Sequence, residues 1–327
     1  MKKIIAMLLA VLMLGVTGCG SPDPGTGMET GGEAGTGTGG SDDKLVIGYA
    51  SKNVNDTFQT YLIDAANAYA QENNIDLIVV DAQNDVVKQQ DQVNTFVTQG
   101  VDALVVLPID TSATAPMTKA AQDAGIPLVY CNTNPHPDGN FPEGTYYVGS
   151  IEKEAGTFQA EYIGELLGGV GNVAILQGSL THEGALQRTE GVEETLASKY
   201  PDIKVVGAQT AEWQRDMAMS VTENWMTANN NDIQAIFANN DEMALGAVNV
   251  AQARGMDVKV IGIDGTTDAL TAIKAGTLAG SVFQDAEGQA RGAMEKAMNV
   301  AQGEEVEVIS WVPFILITPE NVDEFIQ

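Results

Sequence analysis

The stretch AIFANNDEMALGAVNVAQARG, residues 235–255, decides how this chain folds. Its opening AIFA is a short, unbroken apolar run of the kind that forms a strand buried on both faces. From Glu242 the apolar residues recur at helical spacing, and the pattern stops at Gly255. A strand running straight into a helix is the repeating unit of an α/β sheet. The polar residues at the junction admit two readings. Asn240 or Asp241 caps the helix by accepting from its first free N–H groups, or the junction faces a ligand, because open α/β sheets bind outside the carboxyl ends of their strands. One junction leaves both readings open.

Working outward, the same alternation fills the chain from residue 44 onward. Apolar runs at 45–50, 76–82, 103–108, 127–131 and 146–150 form one series of candidate strands, and runs at 172–178, 203–209, 235–239, 259–264 and 280–284 form a second. Segments such as FQTYLIDAANAYAQEN and TFQAEYIGELLGG lie between them with helical spacing. Continuous apolar strands separated by helices imply parallel sheets covered on both faces. The expected fold is therefore α/β, with ten strands in two groups of five making two doubly wound parallel-sheet lobes; a single (β/α)₈ barrel is the structural alternative.

Polar residues collect where these strands end. Asp56 follows the first strand, Asn132 the fourth, Asn240 the eighth, Asp264 the ninth and Gln284 the tenth. Each alone reads as a cap or a turn, but five on the binding edge of α/β sheets point to a pocket. Phe58 and Trp213 stand beside the same edges, where the bland reading is partly buried core. Arg188, near a helix start, reaches either the crevice or a surface ion pair. Ionised Asp56 and Asp264 only accept hydrogen bonds, Arg188 only donates, and Asn132, Asn240 and Gln284 do both. Ligand groups that both donate and accept are hydroxyls, and aromatic planes suit the C–H faces of a sugar ring. Two acids against one base disfavour phosphates and carboxylates, so the expected ligand is a neutral sugar or polyol.

The remaining features bound the function. Lys2 and Lys3 precede an apolar run, Ile4 to Val16, too short to span a membrane comfortably but suited to a signal peptide. Residues 16–19, VTGC, resemble a bacterial lipobox. Residues 1–18 are thus expected to be a lipoprotein signal peptide, with Cys19 lipidated and residues 19–43 a disordered Gly/Thr-rich tether. About 24 such residues span roughly 27 Å. The net charge of −28, from 16 basic and 44 acidic residues, argues against nucleic acid and against lying on an anionic membrane surface. Neither His136 nor His182 has a spaced Cys or His partner, so no zinc motif is present. The glycines of GGVGNV (168–173) precede a strand instead of following one, and no phosphate-cradling loop occurs. No cofactor, no metal and no catalytic residue is expected.

At these residues the sequence resembles the bacterial sugar-binding proteins of ABC importers, of the ribose/galactose/inositol type, over essentially all of residues 44–327. FANNDEMALGA, VIGIDGTTDAL and the R-x-x-G of RTEG carry the likeness. The resemblance implies sugar contacts from Asp56 and Phe58 (NDTF), Asn132 (YCNT), Arg188 (QRTEG), Trp213 (AEWQRD), Asn240 (ANNDEMA), Asp264 (GIDG) and Gln284 (SVFQDA). Asn132, Trp213 and Asp56 look like glucose- and galactose-binding relatives and Gln284 like ribose-binding ones, which favours a hexose or inositol over a pentose. The calcium loop of some relatives is not visible in NTNPHPDGN. The likeness further implies a three-crossing hinge, with one lobe at 44–149 plus 285–310 and the other at 150–284 plus 311–327. It implies a monomer, extracytoplasmic and held at the membrane by its N-terminal lipid alone, that closes on its ligand and presents it to ABC permease subunits. A sensor feeding a membrane kinase or chemoreceptor is the alternative, and a glycoside-acting enzyme is a weaker one. A sugar-responsive repressor would need an N-terminal DNA-binding helix pair where this chain has its signal peptide.

Overall fold

Alternating apolar residues along the central strands find helices on both sides. In the computed structural model, which describes residues 44–326, two sheets are built from β1 (Val46–Ser51), β2 (Asp76–Asp81), β3 (Ala103–Val106), β4 (Leu128–Cys131), β5 (Thr145–Gly149), β6 (Val170–Gln177), β7 (Asp202–Thr210), β8 (Ala235–Ala238), β9 (Lys259–Asp264), β10 (Gly280–Phe283), β11 (Ile309–Trp311) and β12 (Ile315–Ile317). The signal peptide, Cys19 and the tether lie outside the described residues.

The helices between them are α1 (Thr57–Glu72), α2 (Val86–Gln99), α3 (Ala115–Ala124), α4 (Glu152–Leu166), α5 (Glu183–Lys199), α6 (Arg215–Ala228), α7 (Asp241–Ala253), α8 (Thr267–Lys274) and α9 (Ala286–Ala301). The first sheet runs β11-β5-β4-β3-β1-β2 and the second β12-β10-β9-β8-β6-β7. Two separate sheets exclude the single barrel. In the first, Ala103 and Val105 pack toward α1 and α9 while Leu104 and Val106 pack toward α2 and α3. This two-sided burial is why the strands read as unbroken apolar runs. In the second, Ala174 and Leu176 face one core and Val173 and Ile175 the other.

The structure adds two strands to the expected ten. Each has only three residues, and Pro313 stands between them, so neither carries a readable period. β11 extends the first sheet in parallel, whereas β12 runs antiparallel to β10 at the edge of the second. The chain passes between the sheets after Gly149, after Phe283 and after Trp311. In each sheet the strand order reverses next to the first strand of its series, so a crevice forms at the carboxyl ends of β1 and β6.

Candidate ligand-binding cleft

The crevices of the two sheets face each other. One inner cavity is lined by Asp56, Phe58, Asn132, Arg188, Trp213, Asn240, Asp264 and Gln284, all eight residues singled out in the sequence, joined by Lys52, Gln59 and His182. At the 235–255 junction Asn240 both caps the helix and lines this cavity. Asn240 Oδ1 accepts from the Met243 N–H at 3.0 Å and caps α7, while its Nδ2 donates to the Trp213 carbonyl at 3.2 Å. Asp56 caps α1 through the Gln59 N–H at 3.0 Å. His182 caps α5 in the same way, its Nδ1 accepting from the Gly184 N–H at 3.1 Å. A carboxylate or carboxamide cap uses one lone pair, so Asp56 and Asn240 keep polar capacity for the cavity.

On the second-sheet wall Arg188, Trp213, Asn240 and Gln284 are braced. Arg188 Nε donates to Glu152 at 2.6 Å, its Nη1 to the Asn239 carbonyl at 2.7 Å and its Nη2 to Gln284 Oε1 at 3.1 Å. The pair is almost fully buried and the planar fork is fixed from three sides. Trp213 lies flat on Gly178, where a Cβ would stand 2.1 Å from the indole, and its edge meets the His182 ring with centroids 5.2 Å apart. Asp264 ends β9 at φ +132°, and Trp213 and Asn132 hold φ near +65°. Such conformations cost about 1–3 kcal/mol each and cluster at functional sites.

Electrostatics beneath this wall are dominated by burial. Asp241 accepts from Ser281 Oγ at 2.7 Å and the Thr266 N–H at 2.8 Å, yet burial pushes its carboxyl up to about 7. Asp264 is pushed well up too, first by burial and then by the neighbouring Asp241, with Arg188 pulling the other way.

The first-sheet wall is looser, and it meets the second lobe at His182. Because His182 Nδ1 accepts, the proton of its neutral ring sits on Nε2, which donates to Thr133 Oγ1 at 2.9 Å. Lys52 Nζ, 3.3 Å from that same Nε2, therefore finds no acceptor there. Burial lowers the pKa of Lys52, and burial followed by Lys52 and Arg188 drives that of His182 well down. Asn132 Nδ2 donates to Gln289, whose amide donates to Ser150 Oγ, which donates to the Val312 carbonyl; two of the three chain crossings are thereby tied to the cavity.

Sequence reading missed Lys52, Gln59 and His182. Lys52 sits one residue past β1 in a run that looks like surface, and His182 offers the sequence only the signal of a metal ligand without a partner. Glu152, the partner of Arg188, lies 36 residues away and had no signal at all. With Lys52 present the lining carries two acids and two bases, not the two and one read from sequence. No group of three or more His, Cys, Asp or Glu able to hold a metal occurs among the described residues. No helix among them is long and apolar enough to cross a membrane.

Residues 47–305 match the periplasmic binding protein domain family. The chain is 43% identical over 284 residues to a protein of Rhizobium meliloti named for binding rhizopine, covering 85% of this chain and 92% of that one. It is 33% identical over 318 residues to the xylitol-binding protein of Mycolicibacterium smegmatis, with 96% and 84% covered. Among solved structures, an ABC transporter solute-binding protein from Bacillus halodurans with bound myo-inositol superposes at a TM-score of 0.82 and 39% identity, over 87% of this chain and 98% of that one. The chain belongs to the periplasmic binding proteins, among the sugar- and polyol-binding members that serve ABC transporters. These are extracytoplasmic substrate-binding transport proteins, not enzymes, which agrees with the resemblance seen in the sequence.

Proposed function

We propose that this protein captures a neutral monosaccharide or cyclic polyol, a hexose or inositol before a pentose, in the cleft between its lobes and delivers it to an ABC import permease. The observation that carries this is the convergence of groups from both sheets on one cavity whose lining balances two acids against two bases. Hydroxyls match the mixed donors and acceptors, and Phe58 and Trp213 offer apolar faces to a ring. The solved relative with bound myo-inositol favours a six-membered ring.

Binding and closure are one event in this reading. The inner cavity measures about 30 Å³, room for about two waters. A ring enters only if the lobes part and then settle around it. A ligand touching both walls favours the closed form and shifts the population toward it. The moving bodies are residues 44–149 with 285–310 and residues 150–284 with 311–327. The protein acts as a monomer, and Cys19 carries the lipid that holds it to the membrane; Cys19→Ser should release it into the soluble fraction.

The test is titration calorimetry on residues 44–327, unfolded and refolded to strip carried-over ligand, with myo-inositol, glucose, galactose, ribose and xylose. Tight binding of a six-membered ring is expected. Silence across the panel overturns the ligand class.

A further inference from the structure

Outside the inner cavity lies a second space that capture of a single ring does not use. It measures about 730 Å³ and shares Lys52, Asp56, His182 and Trp213 with the inner cavity, so these four form a neck between them. Its volume is that of an ordinary small-molecule site. Two features distinguish it from a gap left by incomplete closure. At one end Thr57 Oγ1 of the first lobe already donates to Glu242 of the second at 3.3 Å. Beyond the other, the Thr111 N–H and Oγ1 both reach the Thr181 carbonyl at 3.2 Å. The lobes are thus in contact on both flanks while the space persists, and a ring in the tighter inner cavity would only widen it.

We propose that this vestibule is a second subsite, which takes a neutral, hydroxyl-bearing substituent projecting from the ring held below: the outer unit of a glycoside. The inference rests on the proposed capture of a sugar or polyol and refines its substrate class. The carboxamides of Asn55, Asn84 and Gln214 line the space, and none is engaged by another side chain among the described residues. They are the donors and acceptors that hydroxyls pair with. Four carboxylates, Asp56, Glu212, Asp216 and Glu242, stand against Lys52 and Arg215, and Arg215 is already held by Glu242 at 2.8 Å and Asp268 at 3.1 Å. That balance rejects a phosphate or carboxylate substituent. Trp213, shared by both spaces, gives the linkage an apolar wall at the neck.

Calorimetry on the refolded protein compares matched pairs: myo-inositol with galactinol, galactose with methyl galactosides and melibiose, glucose with methyl glucosides and trehalose. At least one glycoside is expected to bind within tenfold of its parent, or more tightly. A parent that binds while every one of its glycosides loses more than tenfold overturns the vestibule and leaves monosaccharide capture standing. Silence from parents and glycosides alike overturns both. Asn55→Trp, at an exposed position, fills the vestibule and should weaken the glycoside at least tenfold more than the parent; equal changes in both overturn the assignment.

Discussion

The two walls of the cleft solve the same recognition problem differently. The second-sheet wall is rigid before any ligand arrives: Arg188 is fixed by Glu152, Asn239 and Gln284, Trp213 rests on Gly178, and Asn240 is pinned to the Trp213 carbonyl. The first-sheet wall holds Lys52 against a histidine nitrogen that cannot accept from it, and its Asn132 is tied through Gln289 and Ser150 to the chain crossings. A wall that is already organised loses little entropy on binding. A wall coupled to the chain crossings would, in the proposed capture, convert contact with a ligand into movement. Affinity in that proposed capture would rest mainly on the second lobe and the sensing of occupancy on the first.

The largest effect should come from Asp264. Its buried side chain faces the cavity, and in the proposed capture it would hold two ligand hydroxyls, whose loss at about 1.5–3 kcal/mol each should remove measurable binding. Asp264→Ala should still fold, since it relieves the repulsion with Asp241 and keeps the backbone no more strained than before. Unchanged affinity in calorimetry would break the assignment of affinity to this wall. Arg188→Ala is next and differs in kind. It leaves Glu152 buried without its cation, a loss of about 3–5 kcal/mol that should show in denaturant unfolding as well as in binding. A variant of normal stability would mean that Glu152 finds another partner and that the wall is less rigid than its geometry implies.

How much of this was legible follows from the physics of each signal. Two-sided burial writes itself into consecutive apolar residues, so the central strands and the two-lobe fold were readable; the edge strands β2 and β7 showed through their β-branched runs, while β11 and β12 were too short to show a pattern. The eight cavity residues were readable because strand ends in a parallel sheet share one edge. Bracing was not. The Glu152–Arg188 pair joins the starts of two adjacent helices through side chains alone, and the positive φ of Asp264 falls on a residue type that does not announce it. Asn132 and Asn240 could be placed at the site, but nothing in their neighbours revealed that one reaches the hinge and the other the tryptophan loop.

Trp213 gives a smaller and more discriminating test. Trp213→Ala removes a stacking face worth about 1–3 kcal/mol of affinity. Gly178→Ala leaves the indole in the protein but drives a methyl into it, so the ring must leave its seat. If rigidity of the wall matters as much as the presence of the ring, both variants weaken binding to a similar degree. If Gly178→Ala binds normally, the indole needs no fixed seat and the contrast between the walls softens.

The smallest expected effect concerns the contact between the two walls, where His182 of the second lobe meets Lys52 and Thr133 of the first, and it depends on pH. His182 is neutral in the fold because burial, Lys52 and Arg188 all disfavour its cation, while Glu152 and Glu183 lie on the same side of the cleft. Its pKa in the fold is thus below that of the unfolded chain, so its contribution to stability is present above about pH 6.5 and is lost as pH falls below that value, by up to about 1.4 kcal/mol per unit. Asp241 and Glu183 act with the opposite sign: burial raises them to about 7 and about 8, so they stabilise at low pH and their contribution is lost as pH rises through those values. A raw pH profile therefore mixes the two, and the difference between the wild type and His182→Asn separates them. Asparagine keeps the cap on α5 but cannot take the charge. Between pH 7.5 and 5.5, denaturant unfolding should show the wild type losing about 1 kcal/mol relative to the variant. A constant difference would mean that His182 stays solvated enough to ionise in place, and that the contact between the walls yields to a proton.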